Sequence, residues 1–157
     1  MKSERNHLDR TDLNILRQLQ GNGRMSNVEL SQSVNLSPAP CLVRVKKLEK
    51  EGFISGYSAE LDALKLGLGL LAYVEITLNR TTPDIFEKFK TSIQDIDEIE
   101  DCHMVAGGFD YLLKVRCRDM EDYRRILGEK IAAISGISQT HTYVVMEQVK
   151  TGRTIKI

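Results

Sequence analysis

The stretch Ser37-Pro38-Ala39-Pro40 most constrains how this chain folds, because two closely spaced prolines tolerate few backbone conformations. Proline removes a backbone donor and fixes φ, so in a helix it is compatible only with the first turn, whose amides have no intrahelical acceptor. Ser37 is a good N-cap, and Pro38 suits the first helical position. The stretch therefore predicts a helix that begins at Pro38 and continues toward Lys50.

The predicted helix has two different faces. At about 100° per residue, one side collects residues that suit packing, namely Cys41, Leu42, Val45 and Leu48. The opposite side carries Ala39, Val43, Lys46, Lys47 and Lys50. Lysines there can meet phosphates, and small or methyl-bearing side chains can approach thymine methyls in a major groove. A basic helix face is more often plain solvated surface, so this pattern only suggests a DNA-reading helix.

Two shorter helices are predicted upstream. Asp9 precedes apolar residues at helical spacing, and Gly21-Asn22-Gly23 supplies a helix stop and a turn. Ser26 and Glu29 form a capping box for a second segment, which stops at Asn35. Two short helices joined by so tight a turn are typical of a helix-turn-helix, in which the second helix enters the major groove. The alternative is a three-helix bundle with no role in nucleic-acid binding.

Charge and composition limit the classes of function. The 157 residues carry a formal net charge of zero, although residues 1–60 contain nine Lys and Arg against seven Asp and Glu. So few phosphate contacts per chain predict that several DNA-reading helices act together in an oligomer. No apolar run approaches the roughly 18 residues of a membrane span, and the start lacks a signal peptide, which predicts a cytoplasmic protein. Three cysteines without close spacing fit a reducing compartment.

The second half of the chain follows a different periodicity. An alternating strand over residues 72–79 precedes a helix that opens at Thr82-Pro83-Asp84. A hairpin is predicted to pair Ile99 to Ala106 with Phe109 to Cys117 across Gly107-Gly108, a dipeptide typical of two-residue turns with positive φ. A helix from Asp119 to Gly136 and a strand from Ile137 to Val149 complete the half.

The order β-α-β-β-α-β is that of a ferredoxin-like sandwich, in which both helices cover one face of an antiparallel sheet. The other face is bare, and it includes apolar groups such as Tyr73 and Leu112, so it is predicted to pack against a second copy. The fold class is therefore α+β. The predicted domains are a DNA-binding domain over residues 1–54, an extended connector and hinge over 55–69, and a ferredoxin-like oligomerisation domain over 70–157.

A catalytic interpretation of Cys102-His103 finds little support. Adjacent strand residues point to opposite faces, so the thiol and the imidazole cannot act as a pair, and Cys117 lies too far along the hairpin to share a metal easily with Cys102. The sequence also contains no zinc-ligand, phosphate-loop or nucleophile-elbow motif. Neither an enzyme nor a cofactor or metal site is expected.

Several longer stretches resemble the Lrp/AsnC family over nearly the whole chain from Leu8 to Lys150. The matching stretches are Asn27-Val28-Glu29-Leu30-Ser31, Leu36-Ser37-Pro38 with Pro40-Cys41-Leu42, Val74-Glu75-Ile76-Thr77-Leu78-Asn79-Arg80, Phe109-Asp110-Tyr111-Leu112-Leu113-Lys114 and Thr142-Tyr143-Val144-Val145-Met146-Glu147. The resemblance implies a bacterial transcription regulator with an N-terminal winged helix-turn-helix and a C-terminal ferredoxin-like βαββαβ domain that binds an amino acid. It also implies dimers that assemble further into octamers, on which DNA wraps or bends.

The same resemblance implies an effector site between dimers, at the loop of the central hairpin. The family's usual loop is Gly-Asp followed by an aromatic residue and Asp, whereas this chain has Gly107-Gly108-Phe109-Asp110 and so lacks one side-chain acceptor. Similarity to a leucine-responsive member implies an aliphatic effector, leucine or a similar amino acid. The candidate effector-binding residues are Met104, Gly107, Gly108, Asp110, Met120, Tyr143, Val144 and Val145. Packing or interface roles compete with ligand contact at Tyr143, Val144 and Val145.

The predicted function is thus a sequence-preferring DNA-binding regulator that responds to a free amino acid and acts as a dimer or multiple of dimers on double-stranded DNA in the cytoplasm, associated with the bacterial nucleoid. The residues assigned to DNA contact are Ser37, Ala39, Pro40, Val43, Arg44, Lys46, Lys47 and Lys50. Two alternatives stay open: an architectural DNA organiser that ignores amino acids, and a sensor or enzyme whose helical domain binds protein instead of DNA.

Overall fold

Two units make up the part of the chain that the computed structural model describes, residues 8–152 and 155–157. Of these residues, the first unit contains 8–60, 151–152 and 155–157, and the second spans Leu61–Lys150. Residues 155–157 lie with the first unit, because Ile155 and Ile157 hydrogen-bond to its first helix.

The first unit contains three helices, α1 (Arg10–Gly21), α2 (Asn27–Ser33) and α3 (Pro38–Lys50). The predicted capping box of Ser26 and Glu29 at α2 is confirmed, and Asp9 forms a second capping box with Asp12 at the start of α1. Asn35, with φ of 55°, makes the turn into α3. Ser37 has the extended backbone of an N-cap, but its side chain makes no capping hydrogen bond.

Packing in the first unit brings together one apolar side of each helix. The buried residues of this core are Ile15, Leu30, Val34, Cys41 and Leu48. The prediction that Leu42 packs with them is wrong, because its side chain is 42% exposed and points away from the line through Cys41 and Leu48. After α3 the chain forms no regular strand until residue 70, so the predicted connector carries loops and turns only.

The second unit is a four-stranded sheet with helices on one face. Its elements are β1 (Leu70–Leu78), α4 (Pro83–Ile93), β2 (Ile99–Met104), β3 (Tyr111–Cys117), α5 (Met120–Arg125), a π-helix (Ile126–Ile131) and β4 (Ile137–Val144). The sheet order is β2-β3-β1-β4, and the strand pairs are antiparallel. This is the predicted ferredoxin-like order.

Side chains along β1 and β3 point alternately to the helix-covered face of the sheet and to the opposite face. Val74, Ile76, Leu113 and Val115 are fully buried against α4 and the second helical segment. The opposite face carries side chains such as Tyr73, Glu75 and Leu112, which are only partly buried in this single chain. The bare face anticipated from the sequence therefore exists in the described residues.

Three predicted boundaries differ from the structure. The hairpin strands stop at Met104 and begin again at Tyr111, which leaves a six-residue loop over 105–110. The helix after Asp119 changes from α to π at Ile126, although its apolar residues are buried as predicted. The last strand ends at Val144 and not at Val149, because pairing stops where β1 begins. Every helix in the described parts of the chain is too short or too polar to cross a bilayer.

Candidate functional site

The outer face of α3 forms the first candidate site. The side chains of Ser37, Ala39, Pro40, Val43, Lys46, Lys47 and Lys50 are all exposed. Lys47 makes one loose ion pair at 3.9 Å with Glu51, one turn further on, and the described residues offer Lys46 and Lys50 no carboxylate within salt-bridge distance. One helix thus presents three lysines and several small side chains to solvent, which is the chemistry that a DNA groove and its phosphates require.

Arg44 differs from its neighbours on α3 because its guanidinium is already engaged. Nη1 lies 2.7 Å from Asp9 Oδ2 and 2.7 Å from Asp12 Oδ1, on α1 and its cap. Asp12 is only 6% exposed. The backbone N–H of Asp12, which donates to the Asp9 carboxylate, and the Arg44 guanidinium together hold the pKa of Asp9 below its usual range. Arg44 therefore ties α3, the predicted DNA-reading helix (called the reading helix below), to α1. Helical periodicity alone did not indicate this role.

Asn27 also has a structural role that the sequence did not predict. Its side-chain amide donates to the carbonyl oxygen of Pro38 at 2.8 Å, which fixes the first turn of α3 to the start of α2. This bond satisfies a carbonyl oxygen and not the amides that a cap would serve, so it positions the first turn of α3 without capping it. The only sequence signal was the polar residue directly after the cap Ser26.

The loop between β2 and β3 forms the second candidate site. Val105 N–H donates to Asp110 O at 3.0 Å, and Asp110 N–H donates to Ile76 O at 2.9 Å. The Asp110 carboxylate accepts from Leu78 N–H at 2.7 Å. Asp110 thus pins the loop to the neighbouring strand β1, which explains why the chain does not make the predicted two-residue turn.

The predicted positive φ at Gly107-Gly108 is also wrong. Neither glycine has a positive φ, and a Cβ at either position would meet no atom within 4 Å. Both residues are exposed, and their N–H groups donate to no acceptor among the described residues. Exposed backbone N–H groups without a protein acceptor are free to donate to an acceptor on a ligand, such as an amino-acid carboxylate.

The remaining candidate effector residues lie at the other end of the sheet. Val144 pairs with Ala72, and Val145 N–H donates to Leu71 O at 2.9 Å. Asp110, in contrast, hydrogen-bonds to Ile76 and Leu78. Leu71 and Ile76, which these two groups contact, are five residues apart on β1, or roughly 15 Å at about 3.3 Å per residue. We call these groups the loop cluster (Met104, Gly107, Gly108 and Asp110) and the strand cluster (Met120, Tyr143, Val144 and Val145).

Both clusters present apolar side chains to solvent. Met104 is 56% exposed in the loop cluster, and Tyr143 is 54% exposed in the strand cluster. The Glu75 carboxylate on β1 raises the pKa of the Tyr143 hydroxyl by its negative charge. The Tyr123 hydroxyl, 2.6 Å from the Thr142 hydroxyl, ties α5 to β4 and so holds Met120 near the strand cluster. No group of His, Cys, Asp and Glu in the described residues is arranged to hold a metal ion.

Comparisons with known proteins match both units. The family described as winged helix-turn-helix DNA-binding matches residues 8–55, and the Lrp/AsnC ligand binding domain matches residues 71–155. The leucine-responsive regulatory protein of Escherichia coli strain K12 is 55% identical over 150 residues, which cover 96% of this chain and 92% of that protein.

Solved structures give the same assignment. A Neisseria meningitidis transcriptional regulator, determined as a complex with L-Met, has a TM-score of 0.91 and 35% identity over 96% of this chain and 97% of that one. AsnC of Escherichia coli has a TM-score of 0.86 and 28% identity over 95% and 98% of the two chains. With an exposed basic reading helix, a pinned hairpin loop and these matches, the chain belongs to the Lrp/AsnC family, DNA-binding transcriptional regulators that respond to an amino acid.

Proposed function

We propose that this regulator acts as an assembly of dimers and binds double-stranded DNA through the outer face of α3. Its affinity for DNA changes when it binds leucine or a similar apolar amino acid. The observation that carries the proposal is the exposed row of Lys46, Lys47 and Lys50 beside small side chains on a helix whose other side is buried. Lysines supply affinity through phosphates, and Ala39 and Val43 can read thymine methyls.

The residues of α3 are proposed to have two roles, contact with DNA and attachment of the helix to α1. Ser37, Ala39, Pro40 and Val43 lie in its first turns, the part of a recognition helix that approaches base edges. The three lysines follow toward its end and contact the phosphates. Arg44 acts through its ion pairs with α1, because those bonds fix the angle at which the first turns are presented.

An apolar amino acid fits the chemistry of the two clusters. The free N–H groups of Gly107 and Gly108 suit its carboxylate, and methionine and valine side chains suit an aliphatic group. The Escherichia coli relative is named for leucine, and the Neisseria relative holds L-Met. Both names support an aliphatic or thioether side chain as the effector of this protein.

Separation of the clusters supports an assembly. A gap of roughly 15 Å along β1 is too long for one leucine to contact both ends of one sheet. A second copy that brings its own strand cluster beside the loop cluster would complete the site. The bare sheet face with Tyr73 and Leu112 offers the surface on which a dimer forms first, and a two-fold dimer places two reading helices on successive DNA turns.

A double substitution tests the DNA-binding role. Lys46→Ala with Lys47→Ala should weaken binding to all sequences and reduce the slope of log K against log salt by about 0.9 per lost phosphate contact. Lys65→Ala with Lys88→Ala removes the same charge from exposed sites in the second unit and serves as the control. Unchanged affinity in the first variant would remove α3 from the interface.

A ligand-independent DNA organiser remains the second candidate, because the loop lacks the family's usual Asp at Gly108. A thermal-shift panel of the twenty amino acids separates the two functions, since a ligand that binds only the folded state raises the unfolding midpoint. A rise with leucine or methionine supports the regulator, and no rise with any amino acid supports the organiser. In either function the protein acts on chromosomal DNA in the bacterial cytoplasm and has no catalytic step.

A further inference from the structure

The end of the chain is held on α1 by main-chain hydrogen bonds. Ile155 N–H donates to Gln20 Oε1 at 3.0 Å, and Gln20 Nε2 donates to Ile155 O at 2.8 Å. Arg17 Nε donates to the carbonyl oxygen of Ile157 at 2.9 Å. The Gln20 amide thus pairs with both backbone groups of Ile155, as the backbone of a neighbouring strand would, so α1 contacts the main chain of this segment and not its side chain.

The receiving surface is built on one side of α1. Asn14, Arg17 and Gln20 recur every three residues and are all exposed. Asn14 Oδ1 accepts from Arg17 Nη1 at 3.0 Å, which holds the guanidinium toward the segment. Ile155 remains 71% exposed, so hydrogen bonds and not apolar burial hold it.

The position of α1 gives this contact its importance. Another side of α1 carries Asp12, which binds Arg44 of the reading helix. The chain reaches residues 155–157 after β4, whose last residues Tyr143 and Val144 belong to the strand cluster. The second unit is thus inserted into the first, and it is joined to it both before β1 and after β4.

We propose that residues 155–157 are a docking segment for α1 that couples the effector-binding unit to the reading helix. The coupling, though not the docking, depends on the proposed effector function. Three exposed hydrogen bonds are individually weak, but attachment through the chain raises the local concentration of the segment at α1. A ligand that displaces the end of β4 shifts the docked fraction and, through Asp12 and Arg44, the presentation of α3.

Hydrogen exchange tests the docking directly. Arg17→Ala with Gln20→Ala removes all three hydrogen bonds and should speed exchange of the Ile155 amide in the full-length protein. Arg10→Ala with Gln18→Ala makes the same change of residue types on the same helix, at exposed positions that do not contact residues 155–157. Exchange that stays the same in the first variant overturns the docking.

DNA affinity with and without L-leucine tests the coupling. The ratio of the two dissociation constants should move toward one in Arg17→Ala with Gln20→Ala and when residues 155–157 are deleted, and it should stay at the wild-type value in the control. Faster exchange with an unchanged ratio overturns the coupling and leaves the docking. A wild-type DNA affinity that changes with neither L-leucine nor any other apolar amino acid overturns the proposed effector function and the coupling together, while the exchange measurement still decides the docking.

Discussion

The two candidate sites differ in how much of each lies in one stretch of one chain. The proposed DNA-contact residues all lie on α3 and its cap, where a helical period of 3.6 brings them to one side. The proposed effector residues lie on a loop, a helix start and a strand, in two clusters roughly 15 Å apart along the sheet. In the proposed function, the DNA-contact surface is therefore complete in one copy, and the effector site is completed by a second copy.

The largest expected effect comes from breaking the bare sheet face. Leu112→Glu places a carboxylate directly across the strand from Glu75, on the surface proposed to meet a second copy. Size-exclusion chromatography should show smaller particles, and L-leucine should no longer shift the unfolding midpoint. Weak binding to random duplex at low salt should persist, because α3 is intact.

Gln94→Glu is the matched control for that experiment. It adds the same charge at an exposed position at the end of α4, away from the bare face. It should leave particle size and leucine response unchanged. A Leu112→Glu protein that keeps its size and its leucine response would contradict the need for assembly through this face.

The next effect concerns the ion pairs of Arg44 that tie α3 to α1 in the first unit, called the brace below. Asp12→Ala removes one of the two acceptors of Arg44 Nη1 and the acceptor of the Asp9 amide, and it leaves Arg44 paired only with the exposed Asp9. We expect the free energy of unfolding to fall by about 1–3 kcal/mol, measured by denaturant titration. Glu51→Ala breaks only an exposed pair at 3.9 Å and should cost about 0.5 kcal/mol or less. Equal costs in the two variants would argue against the brace.

The caps and alternations of the sequence predicted most of the fold. Asp9, the Ser26 capping box and Pro38 marked all three helix starts, because capping depends on neighbouring residues only. The period-two alternation of β1 fixed which side chains enter the core of the second unit. Errors appear where a distant contact overrides the local pattern.

The hairpin loop is the clearest of these errors. Gly107-Gly108 favours a tight turn, but Asp110 hydrogen-bonds to Ile76 and Leu78, more than thirty residues earlier, and opens the loop. The same holds for Arg44, whose partners lie on another helix, and for Ile155, which contacts Gln20 across 135 residues. No periodicity within one element signals such pairs. The DNA-contact and effector residues themselves stay predictions until the experiments above are done.

A pH-dependent effect is expected at the end of the sheet that carries the strand cluster. The guanidinium groups of Arg118 and Arg125 hold the pKa of Asp122 well below its ordinary value of 3.8. A depressed pKa adds stability that is complete above the ordinary value and is lost as pH falls through the folded value. Asp122→Asn should therefore lower the unfolding midpoint at neutral pH, and the difference from wild type should shrink below pH 3.8.

The control for this titration is Asp95→Asn, at an exposed position after α4. Its midpoint should follow that of the wild type across the same pH range in thermal scans. A constant difference between wild type and Asp122→Asn at all pH values would mean that packing, and not charge, is responsible.

The smallest expected effect concerns Gly108 in the loop cluster. Gly108 has an unstrained φ and open space at its Cβ, so Gly108→Asp should change the free energy of unfolding by about 0.5 kcal/mol or less. Gly136→Ala is the contrast, because φ of 99° and Ile85 Cγ2 at 3.3 Å make a side chain there strained. Because the N–H of Gly108 is proposed to bind the effector carboxylate, an added carboxylate there should repel it and lower leucine affinity up to about fivefold in calorimetry, as expected for an exposed charge pair of about 0.2–1 kcal/mol. Because the new carboxylate contacts no side chain of the effector, leucine and methionine should lose affinity equally. A gain of affinity would mean instead that Gly108 faces the effector ammonium.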